Sequence, residues 1–154
     1  MSEYKAAVVD YPARRLVGMK VLTSMKQASV DCPACWRAFC QHLGKLAPDG
    51  SKDSYGLSFM INAEDFYYWA AVDADLAKDV PEGLERVDIP AGLYAACVSP
   101  NLEKVGEVYS FLYQTWLSGQ SEYALNEQTP CFEQYPPNWQ LSGAFDVFMP
   151  IRKI

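Results

Sequence analysis

Basic residues are few and scattered in this chain. Its 154 residues hold 13 Lys and Arg against 19 Asp and Glu, a formal net charge of -6. No basic cluster exceeds the pairs Arg14–Arg15 and Arg152–Lys153. A surface that tracks phosphates needs a basic stripe to displace counterions. Direct nucleic-acid binding is therefore not expected, and the acidic field concentrates cations instead. Long apolar runs are missing too, so no membrane span is expected. The start, Met1-Ser2-Glu3-Tyr4-Lys5, lacks the charged opening and apolar core of a secretion signal. Five cysteines, an odd number, argue against a disulfide framework and for a reducing compartment. The cytoplasm is the expected location. One histidine, His42, leaves little for metal binding or acid–base catalysis, and neither a metal nor a cofactor is expected.

Aromatic residues, in contrast, are abundant: 10 Tyr, 7 Phe and 4 Trp, 14% of the chain. Half the residues are hydrophobic, which excludes a disordered chain and predicts one packed domain over residues 1–154. The aromatics exceed what a small core needs. They fit either an aromatic-lined concavity or a Tyr-rich sheet face.

Periodicity and punctuation give the same order of elements twice, over about 1–80 and 81–154. In the first copy a strand at 15–21 leads to Asp31, a candidate N-cap, and to a helix with Trp36, Phe39, Cys40, Leu43 and Leu46 on one face. Pro48-Asp49-Gly50 should stop it, and strands at 55–60 and 66–74 follow. Pro81-Glu82-Gly83 marks the crossing. In the second copy, extended segments 84–89 and 92–98 bend at Pro90-Ala91-Gly92. A helix then opens at Pro100-Asn101, carries Val105, Val108, Tyr109, Leu112 and Trp116, and ends at Gly119. Strands at 131–135 and 144–149 close the copy. Helices with one apolar stripe must bury it on a sheet. The expected fold is thus α+β: a duplicated strand–helix–strand–strand unit forming an antiparallel sheet with two main helices. The pseudo-two-fold seam between the copies is a natural place for a ligand groove.

Several segments, in order along nearly the whole chain, resemble the GyrI-like effector-binding family. They are Tyr55-Gly56, the aromatic strand Tyr68–Val72, Ile89-Pro90-Ala91-Gly92-Leu93-Tyr94-Ala95, the helix ending in Trp116-Leu117 with the trailing Tyr123, Pro130-Cys131-Phe132-Glu133-Gln134-Tyr135, and Met149-Pro150-Ile151. The resemblance implies a groove with Glu133 at its bottom and aromatic walls from both copies. It implies binding of lipophilic cationic aromatic compounds, as in multidrug-responsive transcription regulators. With no helix-turn-helix segment on either side, a free-standing binder is expected. The resemblance also leaves open a hydrolase of reactive electrophilic natural products using a groove glutamate, and a gyrase-inhibitor-like factor with a protein partner such as gyrase.

Strand alternation puts Cys131, Glu133 and Tyr135 on one face and Phe132 and Gln134 on the other. If the first face lines the groove, a carboxylate lies among rings, its pKa rises when the groove is empty, and a cation restores its charge. Otherwise Glu133 faces water. Tyr55, Trp69, Tyr113 and Trp116 are the candidate walls beside Tyr135, while Tyr109 and Trp36 fall within apolar stripes and read as core. At about 0.3 kcal/mol per heavy atom, a ligand of ~25 atoms would bind in the low-micromolar range. Cys32-Pro33-Ala34-Cys35 at a helix start could form a redox pair or half a metal site. It lacks a second such motif and a thioredoxin-like context, so a structural role is expected.

Overall fold

Residues with alternating or continuous apolar character pair into a single antiparallel sheet of nine strands. The structure, a computed structural model, describes residues 4–46, 53–74, 80, 82–137, 139–140 and 142–154. The expected helix stop at 48–50, Pro81 and the side chains of Leu43 and Leu46 lie outside what is described. The strands are β1 (Ala7–Tyr11), β2 (Arg14–Ser24), β3 (Ser54–Met60), β4 (Asp65–Asp73), β5 (Glu85–Ile89), β6 (Gly92–Ser99), β7 (Tyr123–Leu125), β8 (Cys131–Tyr135) and β9 (Phe145–Lys153). Helix α1 (Ala28–Leu46) lies between β2 and β3, and α2 (Val105–Ser110) follows β6.

The order β1-β6-β9-β8-β3-β4-β2-β5, with β7 added to β9, reads the same from both ends when the two copies are exchanged. The copies meet where β3 pairs with β8, Gly56 opposite Glu133. Their outer strands are exchanged. β1 leads into β2 of its own copy yet pairs with β6, and β5 leads into β6 yet pairs with β2. The pairing runs from Ala7↔Ala96 to Tyr11↔Gly92 and resumes at Arg14↔Ile89. Two ribbons, bent at Pro12-Ala13 and Pro90-Ala91, thereby tie the ends of the sheet together. Proline suits these breaks, because it has no N–H to give a ladder.

Both helices cover one face. α1 buries Cys35 and Phe39 against Val17, Tyr68, Ala70 and Val72; α2 and its continuation bury Val108 and Leu112 against Tyr135, Val147 and Met149. The opposite face gathers Tyr11, Tyr55, Leu57, Trp69, Tyr94, Phe132 and Phe148 into a third cluster. There Phe132 and Phe148, cross-strand partners on β8 and β9, stack with centroids 4.6 Å apart. An aromatic pair of this kind adds about 0.5–1.5 kcal/mol beyond its buried area.

The helix starts differ from the expected caps. α1 begins at Ala28, so Asp31 lies inside the first turn, where its carboxylate accepts the Thr23 hydroxyl at 2.8 Å. Pro33 is tolerated so near the start because few backbone N–H bonds precede it. In the second copy Asn101 Oδ1 accepts the Lys104 N–H at 3.0 Å, which closes a turn, and helix begins only at Val105. From Phe111 to Trp116 the chain is wound as a π-helix, then as a 3₁₀ turn to Gly119. π-helical turns are rare and recur at functional sites. Among the described residues no helix is long and apolar enough to cross a membrane.

Candidate functional site

Glu133 stands at the seam, on the helix-covered face, with 8% of its surface exposed. Its two carboxylate oxygens take one hydroxyl from each side. Tyr135, two residues along β8, donates to Oε1, and Tyr109 from α2 donates to Oε2. The Tyr68 hydroxyl of β4 lies beside Tyr135 and accepts the Trp36 indole N–H at 2.7 Å. A row of polar side chains therefore runs from Trp36 on α1 past Tyr68 and Tyr135 to Glu133, and Tyr109 closes it from α2.

The spacing of these elements follows from their geometry. Tyr113 lies four residues beyond Tyr109, and Cys131 two residues before Glu133. Four helical residues advance the chain about 6 Å and two strand residues about 6–7 Å. The pair Tyr109–Tyr113 thus sits over Glu133 and Cys131, with the Tyr113 hydroxyl beside the Cys131 thiol. The floor is Gly56. A Cβ there would lie 2.5 Å from the Tyr68 hydroxyl oxygen and 3.4 Å from Glu133 Oε1. Trp36 bridges the copies: bonded to Tyr68 of its own copy, it meets the Tyr135 ring edge-on with centroids 5.7 Å apart.

Burial pushes the Glu133 carboxyl above its ordinary value, and the Tyr109 and Tyr135 hydroxyls pull it part of the way back. Among the described residues no Lys, Arg or His acts on it. The neighbouring groups are held neutral by burial and by the Glu133 charge: Tyr109, Tyr135 and Tyr68 are raised well above the usual phenol value, and the Cys131 thiol is pushed up to about 11. A buried carboxylate normally has a cation or several strong donors; this one has two phenols.

The sequence-derived wall residues divide between the two faces. Glu133, Tyr135 and Tyr113 come together. Trp116 shares that face but stacks on Tyr123 at 6.3 Å. Tyr55 and Trp69 stand on the far face, packed with Phe132. Tyr55 pairs with Gln134 and neighbours Gly56, so alternation turns it away from Glu133, and Trp69 is turned away in the same manner beside Tyr68. Tyr109 and Trp36, which read as core, are the residues that complete the site. The signal for them is that a buried phenol or indole needs a partner for its polar end, and periodicity treats both as apolar.

Of Cys32-Pro33-Ala34-Cys35, the two cysteines lie on the inner side of α1 and Pro33 is exposed. Cys35 is buried and its thiol donates to the Met19 carbonyl at 3.5 Å. Burial, with Glu133 adding to it, pushes the Cys32 thiol up to about 12. This is opposite to the lowered value a redox pair requires. At pH 8 Cys32 should be alkylated by iodoacetamide at least tenfold more slowly than the exposed Cys40. Peptide mass spectrometry over time reads this, and faster labelling of Cys32 would restore the redox reading. Among the described residues no three His, Cys, Asp or Glu side chains gather as metal ligands.

Two surface cavities lie away from Glu133. One, about 160 Å³, is lined by Asp53, Val98, Gln134, Phe145 and Asp146, and a larger one of about 680 Å³ by residues 124–128 and Arg152. The space above Glu133 is taken up by Tyr109, Tyr135 and Trp36.

Fold and site define an effector-binding module of the GyrI-like kind. The chain belongs to the family of integron-associated effector binding proteins, which matches it over residues 7–151. Three solved structures share the fold. An integron cassette protein from the mobile metagenome of Vibrio cholerae has 14% identity and a TM-score of 0.70, covering 98% of this chain and 100% of that one. The protein SAV2435, solved bound to tetraphenylphosphonium, has 18% identity and a TM-score of 0.69, covering 96% and 94%. The EcmrR C-terminal domain has 16% identity and a TM-score of 0.67, covering 99% and 100%. No curated protein sequence matches the chain.

Proposed function

We propose that this protein binds lipophilic aromatic cations at Glu133, with Trp36, Tyr68, Tyr109, Tyr113 and Tyr135 as the surrounding walls. One observation carries the reading: a buried carboxylate at the seam of the two copies whose direct partners among the described residues are phenol hydroxyls. Neither partner supplies positive charge. A cation brought to this position recovers the Coulomb energy that burial withholds, and a ring face adds about 0.5–2 kcal/mol. Apolar substituents on the cation meet the same aromatic lining.

The family and the tetraphenylphosphonium held by SAV2435 support this chemistry. That ion carries one permanent charge inside a shell of phenyl groups. To reach Glu133 here, a ligand turns the Trp36 and Tyr109 rings aside, a side-chain change of the kind common on binding. Titration with tetraphenylphosphonium should quench tryptophan fluorescence, with a Kd on the order of 1–10 μM from the ~25 heavy atoms of the ligand. Tetraphenylmethane-like neutral analogues of the same shape should not compete. Equal competition by a neutral analogue would remove the carboxylate from the account.

A further inference from the structure

We propose that Glu133 takes up its cation in exchange for a proton, which in the empty protein is held between Glu133 Oε2 and the Tyr109 hydroxyl oxygen. This rests on Glu133 being the cation site, and adds how that site is charged before and after binding.

The hydrogen-bond directions lead to it. On the Tyr135 side the donor is hemmed in: Tyr135 O–H goes to Glu133 Oε1, and the neighbouring Tyr68 oxygen already takes the Trp36 N–H. A proton on Oε1 would turn the Tyr135 O–H away from the carboxylate, among the Trp36, Trp139 and Phe145 rings that enclose it. The Tyr109 arm is one bond long, and Tyr109 holds no second polar partner besides the carboxylate in the described hydrogen bonds. A proton on Oε2 needs only the Tyr109 hydroxyl to rotate and accept instead of donate.

Among the described residues the surroundings supply no alternative neutralisation. Facing Glu133 are Cys131 and Tyr135 on its own strand, Tyr109 and Tyr113 from the α2 segment, Tyr68 from β4, and Cys32 from α1 with Cys35 and Asp31 behind it. The thiols and phenols stay neutral through the ordinary pH range, and Asp31 is bonded to Thr23 and carries the same sign as Glu133. With a buried carboxyl and no cation beside it, the neutral acid is the favoured empty form. A cation arriving at Oε2 replaces the proton: the O–H bond breaks, the proton leaves to solvent, and the Tyr109 ring stays turned aside while Tyr135 keeps donating to Oε1.

The sign follows from linkage. Binding that releases a proton strengthens as pH rises, up to tenfold per pH unit while the empty carboxyl is protonated, and levels off above its folded pKa. Tetraphenylphosphonium is the right probe, since it has no proton of its own. Calorimetric titration at steps from pH 5 to pH 8, at each step in two buffers that hold that pH and differ in ionisation enthalpy, reads proton release from the difference in heats. The expected result is close to one proton released at the acid end, falling towards zero with rising pH, with the affinity rising in step. Tyr109→Phe, which removes a donor to the carboxylate but keeps the ring, should move that profile to higher pH. A protonated-carboxyl infrared band in the empty protein, absent from Glu133→Gln, gives a ligand-free check. Tight binding with no proton release at any pH, and no such band, would overturn the exchange and leave the cation site standing. No binding, or equal binding by Glu133→Gln, would overturn both.

Discussion

Replacing Glu133 with Gln should make the empty protein more stable and its ligand binding far weaker. The two effects have one cause. Glu133 is buried with phenols alone for partners, and burial raises its pKa above the ordinary 4.5. A group that binds its proton more tightly folded than unfolded is fully favourable below the unfolded value. It loses that contribution as pH rises through the folded value, then stays level. At pH 8 the wild-type chain therefore bears the cost of the site, and a neutral amide of the same shape removes it. The Gln side chain still accepts one hydroxyl, and the other can rotate to accept its N–H. A gain of about 1–3 kcal/mol is expected at pH 8, or roughly 3–9 °C in melting temperature for a chain of this size, shrinking towards pH 5. Cation binding should fall by about 2–4 kcal/mol, roughly 30- to 700-fold in Kd. Differential scanning fluorimetry across pH and fluorescence titration with tetraphenylphosphonium read the two arms. A residue that is merely structural would lose stability on substitution, so a destabilised Glu133→Gln contradicts the account.

The second large effect belongs to Gly56. A methyl there would sit 2.5 Å from the Tyr68 hydroxyl oxygen and 3.2 Å from its Cζ. Tyr68 is not a loose end: it is buried and tied to Trp36 and Tyr135. Gly56→Ala must therefore displace a side chain that supports the whole arm. Overpacking of this kind costs about 1–3 kcal/mol, and the displaced hydroxyl leaves the Trp36 N–H without its acceptor. Lower melting temperature, altered tryptophan emission and weakened cation binding are expected together. Adding Tyr68→Phe should recover part of the stability, because the methyl then occupies the space of the missing oxygen, and the double-mutant cycle measures that coupling. Unchanged stability in Gly56→Ala would mean that Tyr68 does not rest on this floor.

Much of the sheet was legible from the residues alone. Strand β8 appears at its expected bounds, and its alternation gives Glu133 the companions Cys131 and Tyr135 that the structure places beside it. The apolar stripe of α1 lies against the sheet through Phe39, with Trp36 reaching across it. Other features depend on partners distant in the chain. Short strands β1 and β7 carry too few alternations to stand out, and the exchange of β1 and β5 between copies is fixed by long-range pairing, which local pattern does not encode. Tyr55 and Trp69 were placed on the wall by residue type; the face they occupy depends on the register with β8 and β2. Tyr109 was hidden for a different reason. Its ring belongs to the helix stripe, and only the position of α2 over β8 brings its hydroxyl to Glu133.

The most direct measurement is a crystal structure of the chain with tetraphenylphosphonium. The account predicts the cation over Glu133 at the β3–β8 seam, its phenyl groups against Tyr135 and Tyr113, and the Trp36 and Tyr109 rings turned aside to admit it. A cation seated instead in the cavity beside Asp53 and Asp146, or in the open cavity at residues 124–128, with Tyr109 and Tyr135 still closed on Glu133, would contradict it.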